Sequence, residues 1–324
     1  MPTSAMVDVL TAIWLRILQL TSVGVDDNFF ELGGDSALAL ELFHEIAKAG
    51  GRDLPPVMIY HAPTISALAA LLEQEAAPRV PPLVQLKAGS EPPVFIAHGL
   101  GGSVMDFYQI VKLVQTPRAI YGMQAKGIDG AEEPLDRIED MARYSLDAVR
   151  ELQPRGPYLL VGFSLGGLVT LEMAQQLIAA GEKVGLVAML DSYPHFSRLS
   201  RTQRFRLSSR QTWRRVARRL RWLGVNPPYE TIVEAPRSPA QLHFRDSSYR
   251  ALENYEPRFY PGKIDFVRAA IPTDFPADPA AVWSGLARRF ELRTVPGDHL
   301  GMMTTHFESL ASAISAYLKE VYQA

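Results

Sequence analysis

The sequence predicts a small all-helical module followed by an α/β domain with a mostly parallel, doubly wound sheet. Three observations carry this. Apolar residues recur at helical spacing through roughly the first quarter of the chain. A proline-rich stretch then breaks the pattern. Beyond it, short apolar runs alternate with longer amphipathic segments, the mark of strands covered on both faces by helices. At 324 residues the chain has room for one large unit and one small one.

Met6, Leu10, Ile13, Trp14, Ile17 and Leu18 form one apolar stripe, so a helix is expected over 4–20, with Ser4 able to cap it. A loop from Thr21 to Asp35 leads into a second helix, Ser36 to Lys48, which Gly50-Gly51 ends. Pro55 and Pro56 precede a short turn around Met58 to Tyr60, and Thr64 caps a last helix, Ile65 to Glu75. These elements make a four-helix bundle over 4–76. Pro78, Pro81 and Pro82 mark a partly extended linker, taken as 77–92. In the α/β domain, 93–324, strands are expected at 94–97, 119–122, 158–162, 186–190, 264–268 and 292–295. Helices are expected at 105–114, 137–152, 165–180, 281–289 and 306–321. Helical and proline-rich sequence over about 195–258 interrupts the alternation and reads as an insertion at the carboxyl edge of the sheet.

Composition excludes several function classes. The chain has no Cys, which removes disulfides, thiolate metal sites and a cysteine nucleophile. Thiol chemistry would have to arrive on a cofactor. There is no basic-then-apolar N-terminus and no apolar run near the length of a membrane span, so a cytoplasmic location with no membrane partner is expected. The net charge of −2 divides unevenly: residues 1–77 carry 3 Lys/Arg against 10 Asp/Glu, and the rest 30 against 25. Opposite charges on tethered domains would orient a transient docking, or each face is simply solvated.

Two serines stand out. Phe29-Phe30-Glu31-Leu32-Gly33-Gly34-Asp35-Ser36 delivers Ser36 through a glycine turn to the start of an apolar helix. Capping alone explains one serine, but not the two glycines, the paired phenylalanines and the small bundle around them. Residues 5–76 resemble a peptidyl or acyl carrier domain, and Leu32-Gly33-Gly34-Asp35-Ser36 resembles its attachment motif. The resemblance implies that a phosphopantetheinyl transferase esterifies Ser36 with 4′-phosphopantetheine, whose thiol holds an acyl chain. A helix N-terminus favours the phosphodiester anion.

Ser164 lies in Gly162-Phe163-Ser164-Leu165-Gly166, a G-x-S-x-G elbow between a buried strand and a helix. A serine hydroxyl needs a base to take its proton and donors for the oxyanion. His299 follows the last expected strand and precedes the last helix, where a doubly wound hydrolase delivers its base. Asp191 ends a strand 27 residues after Ser164, and Asp274 follows a later strand inside a proline-rich loop. Either satisfies the order Ser…Asp…His, and Asp191 is preferred because it abuts its strand. The oxyanion donors are expected to be the N–H groups of Leu165 and of Leu100, with Gly99 as the alternative to Leu100.

Residues 93–321 resemble the thioesterase domains that end nonribosomal peptide and polyketide assembly lines. The resemblance rests on Val94-Phe95-Ile96-Ala97-His98-Gly99, Tyr121-Gly122-Met123-Gln124, Gly162-Phe163-Ser164-Leu165-Gly166-Gly167, Leu190-Asp191 and Gly297-Asp298-His299. That family places its acid at the early position, which supports Asp191. It commonly has Pro where Gly99 stands, so the oxyanion register stays open.

Residues 198–221 hold ten Arg and no acid, while Trp213, Val216, Ala217 and Leu220 recur at helical spacing. A lid helix with a basic face fits this better than a nucleic-acid surface, because the cluster is confined to one insertion of a slightly acidic chain. The expected whole is the carrier–thioesterase end of a longer synthase, with upstream modules on a parent chain or a separate protein. An acyl or peptidyl thioester on Ser36 passes to Ser164 and is released by hydrolysis or cyclisation without a metal. Transfer to an external amine or alcohol, editing of misloaded arms and a non-catalytic docking module are the alternatives.

Overall fold

The structure is a computed structural model. It describes residues 4–52, 54–74, 80–205, 208, 239–272 and 275–321, the side chains of Ser4, Ser36 and 239–241 excepted. The N-terminal module contains α1 (Ser4–Ile17), α2 (Ser36–Lys48), a 3₁₀ turn (Pro56–Tyr60) and α3 (Ile65–Leu72). Both α1 and α3 stop about one turn short of expectation, and the turn around Met58 is the third member of the bundle rather than an α-helix. Asp35 caps α2 by accepting the Leu38 N–H at 2.9 Å, and Thr64 caps α3 through Ala67. Trp14, fully buried, meets the ring of Phe29 edge-on at 5.2 Å, with Leu10, Leu42 and Ile46 closing the core.

Among the described residues seven strands form one sheet: β1 (Leu83–Lys87), β2 (Glu91–Ala97), β3 (Arg118–Met123), β4 (Tyr158–Phe163), β5 (Val184–Leu190), β6 (Tyr260–Ala269) and β7 (Ala287–Val295). Their order is β1-β3-β2-β4-β5-β6-β7, parallel throughout except for β1, which runs antiparallel along β3. Helices cover both faces. Tyr158 and Leu160 of β4 face α5 (Ile138–Leu152) and α6 (Leu165–Ala179). Leu159 and Val161, on the opposite face, pack with α4 (Tyr108–Leu113) and the last helix, Phe307–Val321.

Two expectations need correction. β1 lies inside the span read as linker, because its five residues follow three prolines too closely to register as a separate run. Its Val84 is buried and its pairing is long-range. The helix expected over 281–289 is only Ala280–Trp283, and Ala287 already begins β7. β7 is an edge strand, so its exposed Arg288 and Arg289 mimic the polar face of a helix.

The insertion between β5 and β6 contributes a 3₁₀ turn (Phe196–Arg198), a helical stretch at 201–205 and the helix Pro239–Asn254. Trp213 to Leu220 and the arginines from Arg206 to Arg221 lie outside the described residues. Among the described residues no helix is long and apolar enough to cross a membrane. The two units touch: Val84, Val104 and Met105 of the second belong to the buried cluster of the first.

Candidate active site

The strand register sets the site. Ala97 of β2 is level with Gly162 of β4, Gly162 with Met189 of β5, and Leu190 with Val267 of β6. The loops after β2, β4, β5 and β7 therefore emerge together at the carboxyl end of the sheet, where open α/β sheets bind ligands. Ser164 leaves β4, Asp191 leaves β5, and His299 follows β7.

Ser164 occupies φ +53° and Asp191 φ +46°, both in the left-handed region that L side chains avoid. Such strain costs about 1–3 kcal/mol per residue and persists where the surroundings over-determine it. Here the backbone is held from both sides: the Ser164 N–H donates to the Leu190 carbonyl at 2.9 Å, and the Asp191 N–H to that of Val267 at 2.7 Å. The elbow glycines serve close packing. A Cβ on Gly162 would lie 2.2 Å from the Gly166 carbonyl oxygen, and one on Gly166 would lie 2.4 Å from that of His98.

His299 joins the three residues. Its Nδ1 is 2.9 Å from Asp191 Oδ2 and its Nε2 is 3.1 Å from Ser164 Oγ. A carboxylate accepts, so Nδ1 carries the hydrogen and Nε2 is left to accept from the serine hydroxyl. Asp191 Oδ1 accepts in turn from the Ala269 N–H at 3.3 Å, which fixes the carboxylate between β6 and the imidazole. The ring of His299 lies between two phenylalanines. Phe163 stacks on it at 4.6 Å and 21°, and Phe275 approaches at 4.6 Å and 52°. Sequence reasoning passed over both. Phe163 sat in plain view as the first x of G-x-S-x-G, but Phe275 had no local signal. Asp298 does what a loop residue should, accepting from the Gly301 N–H at 2.7 Å. Asp274 lies outside the described residues.

The loop after β2 is pinned at both ends. His98 is buried, and its Nδ1 lies 2.7 Å from the Gly99 carbonyl oxygen, which also accepts from the Gly102 N–H at 3.1 Å. Burial pushes the His98 imidazole below its ordinary value, opposed by the Gly99 bond, so the ring is neutral with its hydrogen on Nδ1. The Gly102 carbonyl accepts from the Ala125 N–H at 3.2 Å. Where the resembling family has Pro, a Cβ on Gly99 would meet Phe163 Cδ1 at 2.9 Å. Phe244, from the helix Pro239–Asn254, meets the His98 ring edge-on at 5.7 Å and roofs this loop. The roof therefore comes from the far end of the insertion. Beside it an open cleft is lined by Met123, Gln124, Leu135, Met141, Val169 and Phe244.

At the other serine, Ser36 is the first residue of α2, a thirteen-residue helix. Its loop lies against the second domain, where Tyr108 Oη donates to the Gly34 carbonyl at 3.2 Å. A serine on the first turn of a helix meets an attached phosphodiester with the positive end of the helix dipole, so these residues fit a 4′-phosphopantetheine ester.

The doubly wound sheet, with Ser164, His299 and Asp191 joined by hydrogen bonds at its carboxyl end, is that of an α/β hydrolase. More narrowly, the chain belongs to the thioesterase-domain family, whose model matches residues 92–318, and a model for the phosphopantetheine attachment site matches residues 8–72. It is therefore a carrier–thioesterase didomain. It is 39% identical over 198 residues to a dimodular nonribosomal peptide synthase of Bacillus subtilis, covering 60% of this chain and 8% of that protein. It is likewise 39% identical over 177 residues to an indigoidine synthase of Streptomyces lavendulae, covering 54% of this chain and 14% of that one. An atromentin synthetase of Suillus grevillei aligns over 93% of this chain at 28% identity, using 36% of its own length. The chain thus spans a small part of the relatives it matches. Among solved structures, a four-domain nonribosomal peptide synthetase bound to AMP and glycine shares the fold over 98% of the chain, with TM-score 0.60 and 23% identity, using 26% of its own length. The NocB thioesterase domain covers 71% of the chain and 96% of itself, at TM-score 0.53 and 24% identity.

Proposed function

We propose that this didomain is the release end of an assembly-line synthetase, and that Ser164, His299 and Asp191 discharge an acyl or peptidyl chain presented from Ser36. When bound to Ser36, the phosphopantetheine group supplies a thioester carbonyl as the electrophile. His299 Nε2 takes the Ser164 proton as Oγ attacks that carbonyl, and Asp191 stabilises the imidazolium through Nδ1–H. Two N–H groups receive the oxyanion. That of Leu165 is the first of α6 and lacks an intrahelical acceptor by position. That of Leu100 is favoured over Gly99 by the peptide plane. The Gly99 carbonyl is held by His98 and Gly102, and in a trans peptide the Leu100 N–H points the opposite way. His299 then returns its proton to the departing thiolate. In the second half it takes a proton from water, or from a nucleophile within the substrate, as that group attacks the acyl-Ser164 ester, and it returns the proton to Ser164 Oγ as the ester bond breaks and the product leaves. The cleft beside the roofed loop would take an apolar part of the acyl group.

The observation that carries this reading is the hydrogen-bonded chain from Ser164 to Asp191 in a domain whose partner presents Ser36 beside it. The upstream modules that load the chain and the phosphopantetheinyl transferase that arms it are the partners this reading calls for. Intact-protein mass spectrometry after incubation with such a transferase and an acyl-coenzyme A tests it. Wild type and Ser164→Ala should both gain the arm on Ser36, and the variant alone should keep the acyl group. Failure of Ser36 to gain the arm would remove the carrier half of the reading.

A further inference from the structure

We propose that Tyr108 is the docking residue of the catalytic domain, holding the carrier's attachment loop in the register from which Ser36 delivers its chain. The inference rests on the relay proposed above and assigns the surface that serves it. Tyr108 opens α4 directly after the 3₁₀ turn Val104–Phe107, and that turn directly follows the loop of His98 to Ser103. The residue that touches the carrier is thus eight positions from Leu100, on the same continuous piece of chain. Its hydroxyl donates to the Gly34 carbonyl, two residues before Ser36. Its ring packs on Phe30 at 4.9 Å and stands 6.2 Å from Tyr60 at 63°. Phe30 and Tyr60 pack on each other at 4.7 Å. Met105 and Val104, both buried, extend this contact into the carrier's apolar core. One aromatic side chain therefore reads the loop twice, through a main-chain carbonyl and through Phe30, two residues before the attachment motif.

The same contact is built to let go. The Tyr60 hydroxyl is buried beside Tyr108 without a hydrogen-bond partner among the described residues, and burial pushes its phenol up. A carrier that withdraws returns that hydroxyl to water, which offsets part of the lost aromatic packing. A carrier that must also visit upstream sites needs a contact of this balanced kind.

Two substrates separate docking from catalysis in the intact didomain. One is an acyl N-acetylcysteamine thioester that the wild type hydrolyses in solution. The other is the same acyl group loaded on the Ser36 arm from its coenzyme A ester. For Tyr108→Ala we expect release of the tethered group to fall about tenfold or more, the scale of a central aromatic contact. Tyr108→Phe, which keeps the ring, should fall by a few-fold. Both variants should hydrolyse the soluble thioester within twofold of wild type. Phe30→Ala should reproduce the tethered defect, and the double variant should be no worse than either single, as for partners in one contact. Tethered release that is unchanged or faster in Tyr108→Ala overturns the proposal. So does a parallel fall with both substrates, which would make Tyr108 a support of the oxyanion loop. Failure of the relay itself has a different signature: the wild type would hydrolyse the soluble thioester and never release the tethered one.

Discussion

The carbonyl of Gly99 faces the imidazole of His98 at 2.7 Å, and because a trans peptide sets N–H opposite C=O, this contact turns the Leu100 N–H away from that ring. If that N–H receives the oxyanion as proposed, His98 acts through a peptide plane rather than on substrate. His98→Leu should lower kcat for a soluble thioester by about 10–100-fold, somewhat below the loss from deleting an oxyanion donor outright. KM should change little. His98→Asn, which keeps an N–H near the place of Nδ1, should recover part of the rate. Steady-state kinetics on the three proteins decides this, and equal losses in both variants would count against it.

Asp191→Asn should cost about 10³–10⁴-fold in kcat while leaving the fold intact. The amide oxygen can still accept from the Ala269 N–H, as Asp191 Oδ1 does now. That leaves the NH₂ group facing His299, which forces Nδ1 to accept and puts the imidazole hydrogen on Nε2, facing Ser164. The wrong tautomer cannot take the serine proton. Labelling of Ser164 by a fluorophosphonate should slow in step with kcat, and unaltered labelling would argue against the assigned role.

Stability should fall with acid below about pH 6.5. Burial lowers the folded-state values of both His98 and His61 beneath the ordinary 6.5. Above 6.5 both states hold the neutral ring and stability is fully present. Below it the unfolded chain binds a proton that the folded chain resists, so stability is lost as pH falls toward the folded value. Thermal unfolding at pH 7.5 and pH 5.5 should show a drop in Tm that is smaller in His98→Asn. An equal drop would show that His98 titrates alike in both states.

Glu172, 2% exposed on α6, is met by Arg258 at 3.1 Å and by the Tyr255 hydroxyl at 3.1 Å. Arg258→Ala leaves that carboxyl buried without its cation, while Tyr255 and Gln176 keep donating to it. Because the Arg258 side chain is largely exposed, the expected loss is about 1–3 kcal/mol, below that for a fully buried pair. Urea unfolding measures it, and Arg258→Lys should fall between the two.

What was legible in the sequence was whatever local pattern specifies. Ser164 and Asp191 each follow an apolar strand directly and His299 lies four residues past the end of β7, so their positions could be read from three short motifs, and the structure joins them through two hydrogen bonds. Ser36 was legible for the same reason, as a turn feeding a helix. The contacts that act at a distance were not. Phe30 reads as one more core residue and Tyr108 as an ordinary helix start, yet their rings meet 78 positions apart in sequence. Phe275 closes on His299 from a loop with no periodicity. The charge contrast between the two units suggested electrostatic docking, whereas the observed contact is built from aromatic rings, buried apolar side chains and a main-chain carbonyl.

The strand β1 has a consequence for how this protein can be taken apart. It is the antiparallel cover of β3, and its Pro82 carbonyl also accepts from the Gln124 N–H just past the end of that strand. A fragment begun at residue 92, where the family match starts, would shed this cover and leave a row of unpaired N–H and C=O groups along an edge rich in Ile120, Tyr121 and Met123. Such an edge is a template for pairing with another copy. The fragment 92–324 should therefore self-associate and precipitate where 80–324 stays monodisperse, and the five residues of β1, Leu83 to Lys87, serve the catalytic domain as a shield against its own kind.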